Sequence, residues 1–170
     1  MITNKIGLGG GCHWCTEGIF QSLKGVLSVQ QGWIASSQQH SEFSEAIIVE
    51  YDAGQIPLAV LIEIHLHTHS STSSHSMRNK YRSAVYHYDE KTATQVSGIL
   101  TTLQADFERQ IITQCLPLLE FKINDEHYLN YFYNKPQQPF CKTYIHPKLA
   151  KLKQQYGEYL NADKIKGVFV

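Results

Sequence analysis

The chain is short of three things, and each shortage removes a class of function. It has no excess of charge: 15 basic and 15 acidic residues cancel, with nine histidines uncounted. Without a positive surplus there is no general electrostatic case for nucleic acid or an anionic membrane. It has no long apolar run, either in the opening MITNKIGLGGG or elsewhere, so neither an export signal nor a membrane span is expected. Cysteine is scarce, four residues in all, and only Cys12 and Cys15 form a CxxC pair. A zinc site would want a second ligand pair, and neither Cys115 nor Cys141 has a CxxC neighbour. Few cysteines without an export signal point to the reducing cytoplasm, where disulfides are catalytic and transient.

What is present fits one soluble domain. Apolar residues make up 42% and charged residues 18%, and 170 residues leave room for a proper core. No internal repeat and no dividing linker interrupt the chain, so one domain over residues 1–170 is expected.

The most informative stretch is KIGLGGGCHWCTEGIFQS, residues 5–22. A short apolar run meets three glycines, then Cys12, then a helical pattern with Ile19, Phe20 and Leu23 on one face. This reads as strand, turn and helix with Cys12 at the helix start, where free N–H groups and the positive helix end favour a thiolate. Cys15 follows one turn later. Redox or nucleophilic chemistry is the leading reading; a structural pair of buried thiols is the bland one.

Further strands are predicted at residues 26–34, 45–51, 81–88 and 111–121, the last interrupted by Pro117. Helices are predicted at 58–65, 90–110, 125–133 and 147–159. Residues 70–79 form a serine-rich loop expected to be exposed and mobile. Helices alternating with strands give a two-layer α/β or α+β domain. His65, His67, His69 and His75 crowd one helix end, but their spacing does not put them on one face. They are read as a polar helix end, with no metal site.

The sequence resembles the peptide methionine sulfoxide reductase A family. The likeness rests on Gly10-Gly11-Cys12-His13-Trp14, on Lys80-Tyr81-Arg82-Ser83-Ala84, and on the segments 131–141 and 145–149. The resemblance implies a ferredoxin-like α+β sandwich with a mixed sheet and flanking helices, and residues 134–170 as an extension carrying Cys141. It also implies a mechanism. Cys12 attacks the sulfur of a methionine S-sulfoxide, peptide-bound or free, while Glu45 and Tyr81 hold and protonate the oxygen. Glu45 needs a dry pocket for that task. Cys12 becomes a sulfenic acid, a second cysteine condenses with it, and thioredoxin or a similar dithiol reduces the disulfide. Cys141 holds the family position of that second cysteine, on a proline-rich segment expected to be loose, and Cys15 the local one; the resemblance leans to Cys141 and leaves both open. Trp14 matches the wall that receives the substrate methyl group. No cofactor is implied, and the chain is expected to act as a monomer.

Several positions depart from the family pattern, all around the substrate pocket. His13 stands for a phenylalanine, Trp33 for an oxygen-holding tyrosine and Ser76 for an aspartate, and the hairpin after Glu45 is shorter. Tyr128-Leu129 replaces a His-Gln pair. The competing reading is a non-catalytic module of the same fold that binds a methionine-like or oxidised sulfur ligand. A general CxxC disulfide oxidoreductase is the third.

Overall fold

The computed structural model describes residues 2–165; the end of the expected 134–170 extension, residues 166–170, lies outside the described residues. Strands β1 (Thr3–Gly9), β2 (Val26–Ala35), β3 (Ser44–Asp52) and β4 (Ala84–His87) form the centre. Strands β5 (Gln114–Pro117) and β6 (Glu120–Ile123) complete one sheet in the order β5-β4-β1-β3-β2-β6. Helix α1 (His13–Gln21) links β1 to β2, and α2 (Leu58–Thr68) links β3 to β4. Together these give the expected split β-α-β-β-α-β arrangement. Helix α3 (Glu90–Leu103) carries the chain to β5, which runs parallel to β4, as such a crossover allows. All other pairings are antiparallel, so the sheet is mixed.

The period-2 alternation of strands decides which face each side chain joins. Ile6 and Leu8 of β1 with Ile47, Val49 and Tyr51 of β3 enter the main core, together with Ile19 and Phe20 of α1 and Leu61 and Ile62 of α2. The intervening Ala46 and Ile48 turn the other way and join Ile34, Ala84 and Tyr86. Strand β3 is buried on both faces, which fixes the sheet around it.

The single strand predicted over 111–121 is two strands on opposite edges of the sheet. Pro117 ends β5 because it has no N–H to continue a ladder. In a flat sheet the two edges would lie about 24 Å apart, while three residue steps reach about 11 Å at most. The sheet is therefore curled until its edges approach. Leu118 N–H donates to His87 at the end of β4, and Leu119 N–H to Ala35 at the end of β2. Leu116, Leu118 and Phe121 pack onto the small cluster inside the curl.

The helix predicted over 125–133 is also interrupted. A 3-10 turn (Glu126–Tyr128) and helix α4 (Tyr131–Asn134) meet at Asn130, whose φ is +56°. Cys141 does not sit on a loose segment: it is fully buried in a π-helical turn (Cys141–Ile145) that runs into helix α5 (His146–Tyr156). Ile145, Leu149 and Leu152 anchor that unit in the main core. Among the described residues no helix is long and apolar enough to cross a membrane.

Candidate active site

Helix α1 begins at Cys12, its N-cap residue, whose carbonyl accepts the Thr16 N–H at 3.1 Å. The Cys12 thiol is half-buried and pulled down to about 7. The largest cause is the Cys15 thiol, which donates to the Cys12 sulfur; burial acts against it, and the backbone N–H groups of Trp14 and Cys15 help. Cys15 is raised well above the ordinary thiol value by the same contact, then by burial. One turn of helix thus divides two cysteines into an anion and its donor.

Glu45 lies beside this tip, with 6% of its surface exposed. Its Oε1 accepts the His13 backbone N–H at 3.2 Å and stands 3.4 Å from His13 Nε2. The Lys80 ammonium is 3.6 Å from Oε2 and 5.2 Å above the Tyr81 ring. Trp33 is the register partner of Glu45 across β2 and β3, and its ring meets His13 edge-on at 5.1 Å. His13 Nδ1 lies 2.9 Å from the Gly32 carbonyl. Gly32 is required by its other neighbour: a Cβ there would run into the Lys122 carbonyl of β6.

A floor of buried hydrogen bonds holds the glycine turn. His65 Nε2–H donates to the Gly9 carbonyl at 2.8 Å. His69 bonds Ser83 at 2.8 Å and lies against Gly10, where a Cβ would meet the imidazole at 2.5 Å. Gly10 also has φ +149°. Burial is the chief cause that drives His65 down to about 4 and His69 well below the ordinary value. Arg78 donates to the carbonyls of Gly10 and Tyr81, each at 2.9 Å, and to Ser73 at 2.8 Å. The serine-rich loop is exposed around Ser74–Met77, as predicted, yet this guanidinium ties it to the turn.

The opposite side is a wall of aromatic rings from the C-terminal third. Trp14 stacks on Tyr131 at 4.3 Å between ring centres and meets Phe140 edge-on at 5.5 Å. The wall is fastened from inside α1 by Glu17, which is buried. Its carboxyl oxygens accept from the N–H groups of Asn130 (3.0 Å) and Tyr131 (3.2 Å) and from Gln31 (2.9 Å). Between floor and wall opens a cavity of about 840 Å³, lined by Cys12, Cys15, His69, Tyr81, Phe140 and Lys148 among others.

A family model described as peptide methionine sulfoxide reductase matches residues 4–160. The chain belongs to this family. It is 32% identical to the peptide methionine sulfoxide reductase MsrA of Psychrobacter sp. (strain PRwf-1), across 90% of this chain and 96% of that protein. Among solved structures it is similar to Mxr1 from Saccharomyces cerevisiae in reduced form, with a TM-score of 0.74 and 21% identity over 84% of this chain and 91% of that one. Mxr1 in complex with Trx2 gives a TM-score of 0.60 and 20% identity, over 76% and 84% of the two chains.

Within this member of the peptide methionine sulfoxide reductases, the predicted site residues fall into two connected sets. Cys12, Cys15 and Tyr81 line the cavity. His13, Trp33 and Glu45 form a buried group beside it, joined to Cys12 through the His13 N–H and to Tyr81 through Lys80. Trp14 faces the C-terminal rings. Cys141 is buried against α1 within electrostatic reach of Cys15, and Ser76 is exposed and outside the cavity lining. The crowded histidines part company: His65 and His69 turn inward, His67 lies 3.2 Å from Asp106, and His75 accepts the Met77 N–H. Sequence reasoning missed Glu17, Lys80, Arg78 and Tyr131. Their roles depend on backbone groups 68 to 114 residues distant or on the Lys80–Glu45 salt bridge, and no local spacing encodes these.

Proposed function

We propose that this chain reduces methionine S-sulfoxide, peptide-bound or free, to methionine by thiol chemistry at Cys12. One observation carries the proposal: a cysteine lowered to about 7 at a helix start, one residue from a backbone N–H held by a buried carboxyl group. Near neutral pH about half of Cys12 is thiolate, enough to attack an electrophilic sulfur. The Cys12 sulfur bonds to the sulfoxide sulfur while Glu45, supported by Tyr81, supplies a proton to the oxygen. The S–O bond breaks, methionine leaves as the reduced sulfide, and oxygen passes to Cys12 as sulfenic acid.

Cys15 is the nearest captor, since its thiol already donates to the Cys12 sulfur. Condensation releases water and forms a Cys12–Cys15 disulfide, which one helical turn can accommodate. Cys141, packed behind Cys15, can then exchange to give Cys15–Cys141 and free Cys12, which gives the 134–170 segment a purpose. Thioredoxin or a similar dithiol restores the thiols, and a monomer in a reducing cytoplasm suffices for the cycle. His13, Trp14 and Trp33 shape the substrate side. The test is dithiothreitol-driven turnover of a methyl sulfoxide. The wild type is expected to turn over and Cys12→Ser to be inert; a well-folded wild type inert at millimolar substrate would favour a binding module.

A further inference from the structure

His13 has more to do than line a pocket. The Gly32 carbonyl can only accept, so His13 Nδ1, 2.9 Å away, must carry a hydrogen. A neutral ring then turns the bare lone pair of Nε2 toward Glu45 Oε1, 3.4 Å away. Both side chains are buried, with 5% and 6% exposed. Two lone pairs facing each other out of water repel; one proton between them turns the repulsion into a hydrogen bond. Small rotations of the carboxyl group close the remaining distance, as catalytic contacts do once a substrate is bound.

We propose that His13 is the proton partner of Glu45: imidazole Nε2 and carboxyl Oε1 share one proton, which Glu45 delivers to the sulfoxide oxygen. This rests on the reductase reading above. In the step, the proton leaves the pair as the Cys12–sulfur bond forms, and the pair regains one from water before the next turnover. No electrons pass through His13; oxidation falls on Cys12 and reduction on the substrate sulfur. His13 is thus a positioning residue that acts through Glu45.

The other charged groups around the pair are known. Lys80, in the 3-10 turn Ser76–Asn79 and its cap, approaches Oε2 and favours loss of a proton. The Cys12 thiolate, at the start of α1, favours its retention. Trp33 of β2 brings only an uncharged ring edge. Burial holds His13 below the ordinary imidazole value, with Gly32 and Glu45 opposing and Lys80 assisting. The consequence is a proton held between two buried atoms rather than on the carboxyl group alone.

The test compares kcat/KM against pH for the wild type, His13→Phe and His13→Asn. Asn can still donate to Gly32 but places no proton-bearing atom toward Glu45. Both variants are expected to lose activity on the alkaline side earlier, with the falling limb moved acidward by about one pH unit or more. The rising limb, set by Cys12, should stay. A falling limb unmoved in both variants, or restored in His13→Asn, would overturn the proposal. A second readout needs no turnover: the 15N resonance of His13 Nε2 should lie between bare and protonated nitrogen and shift in Glu45→Gln. A bare-acceptor resonance indifferent to Glu45→Gln would also overturn it. An inert wild type would instead sink the reductase reading, and the resonance alone would judge the pair.

Discussion

The two sides of the Cys12 cavity are built differently. The floor is made of the Gly9–Gly10 turn, two histidines of α2 and its cap, and Arg78 from the adjoining loop, with His65 and Arg78 donating to backbone carbonyls of the turn and His69 bonded to the Ser83 hydroxyl. The wall is made of rings from residues beyond 128, laid on Trp14 and held to α1 by the buried Glu17 carboxyl group, by Tyr133 donating to the Gly18 carbonyl and by Phe132 in the main core. Many small polar bonds hold the glycine turn that leads into Cys12, whereas the wall combines one buried carboxyl group with ring packing.

The contrast can be broken from either side. Gly10→Ala should do most damage. Its Cβ would enter the His69 ring at 2.5 Å and its φ of +149° disfavours a side chain. A loss of about 3 kcal/mol or more in urea unfolding is expected, with turnover lost alongside. Glu17→Ala comes next. It leaves the Asn130 and Tyr131 N–H groups without their acceptor, a cost of about 2–3 kcal/mol. Amide exchange should then quicken in residues 130–134 and stay unchanged around Gly10.

Acid tests the floor. His65 falls from 6.5 to about 4 in the fold, so between those values the unfolded chain binds more protons. Stability is therefore full above the ordinary imidazole value and drains as pH falls toward 4, by about 2 kcal/mol at pH 5 from His65 alone. His69 adds in the same direction. Thermal melts from pH 7 to 5 should show the slope in the wild type and a flatter one in His65→Gln. The smallest effect is on the wall: Tyr131→Leu removes the ring stacked on Trp14, about 1 kcal/mol, and should raise KM more than it lowers kcat.

The same division explains what the sequence revealed. Cys12 at a glycine-turned helix start was legible because strand, turn and cap are local signals. The four central strands followed from a short apolar run, β-branched content and alternation, and the resemblance supplied Glu45 and Tyr81. The break at Pro117 was visible, but the curl that sends β5 and β6 to opposite edges was not, because it depends on sheet geometry rather than on residue pattern. Cys141 was misjudged as loose because the nearby prolines outweighed Ile145, Leu149 and Leu152, which bury the turn. The Ser83 of the second motif reads as a plain strand residue until His69 is found bonded to it.

The most direct measurement is mass spectrometry of the reduced protein after one equivalent of methionine S-sulfoxide with no reductant. One methionine per chain should be released and Cys12 recovered in a disulfide, with Cys15 or onward to Cys15–Cys141, and Cys12→Ser should release none. Four intact thiols beside unconsumed sulfoxide would contradict a reactive Cys12 thiolate at the heart of this fold.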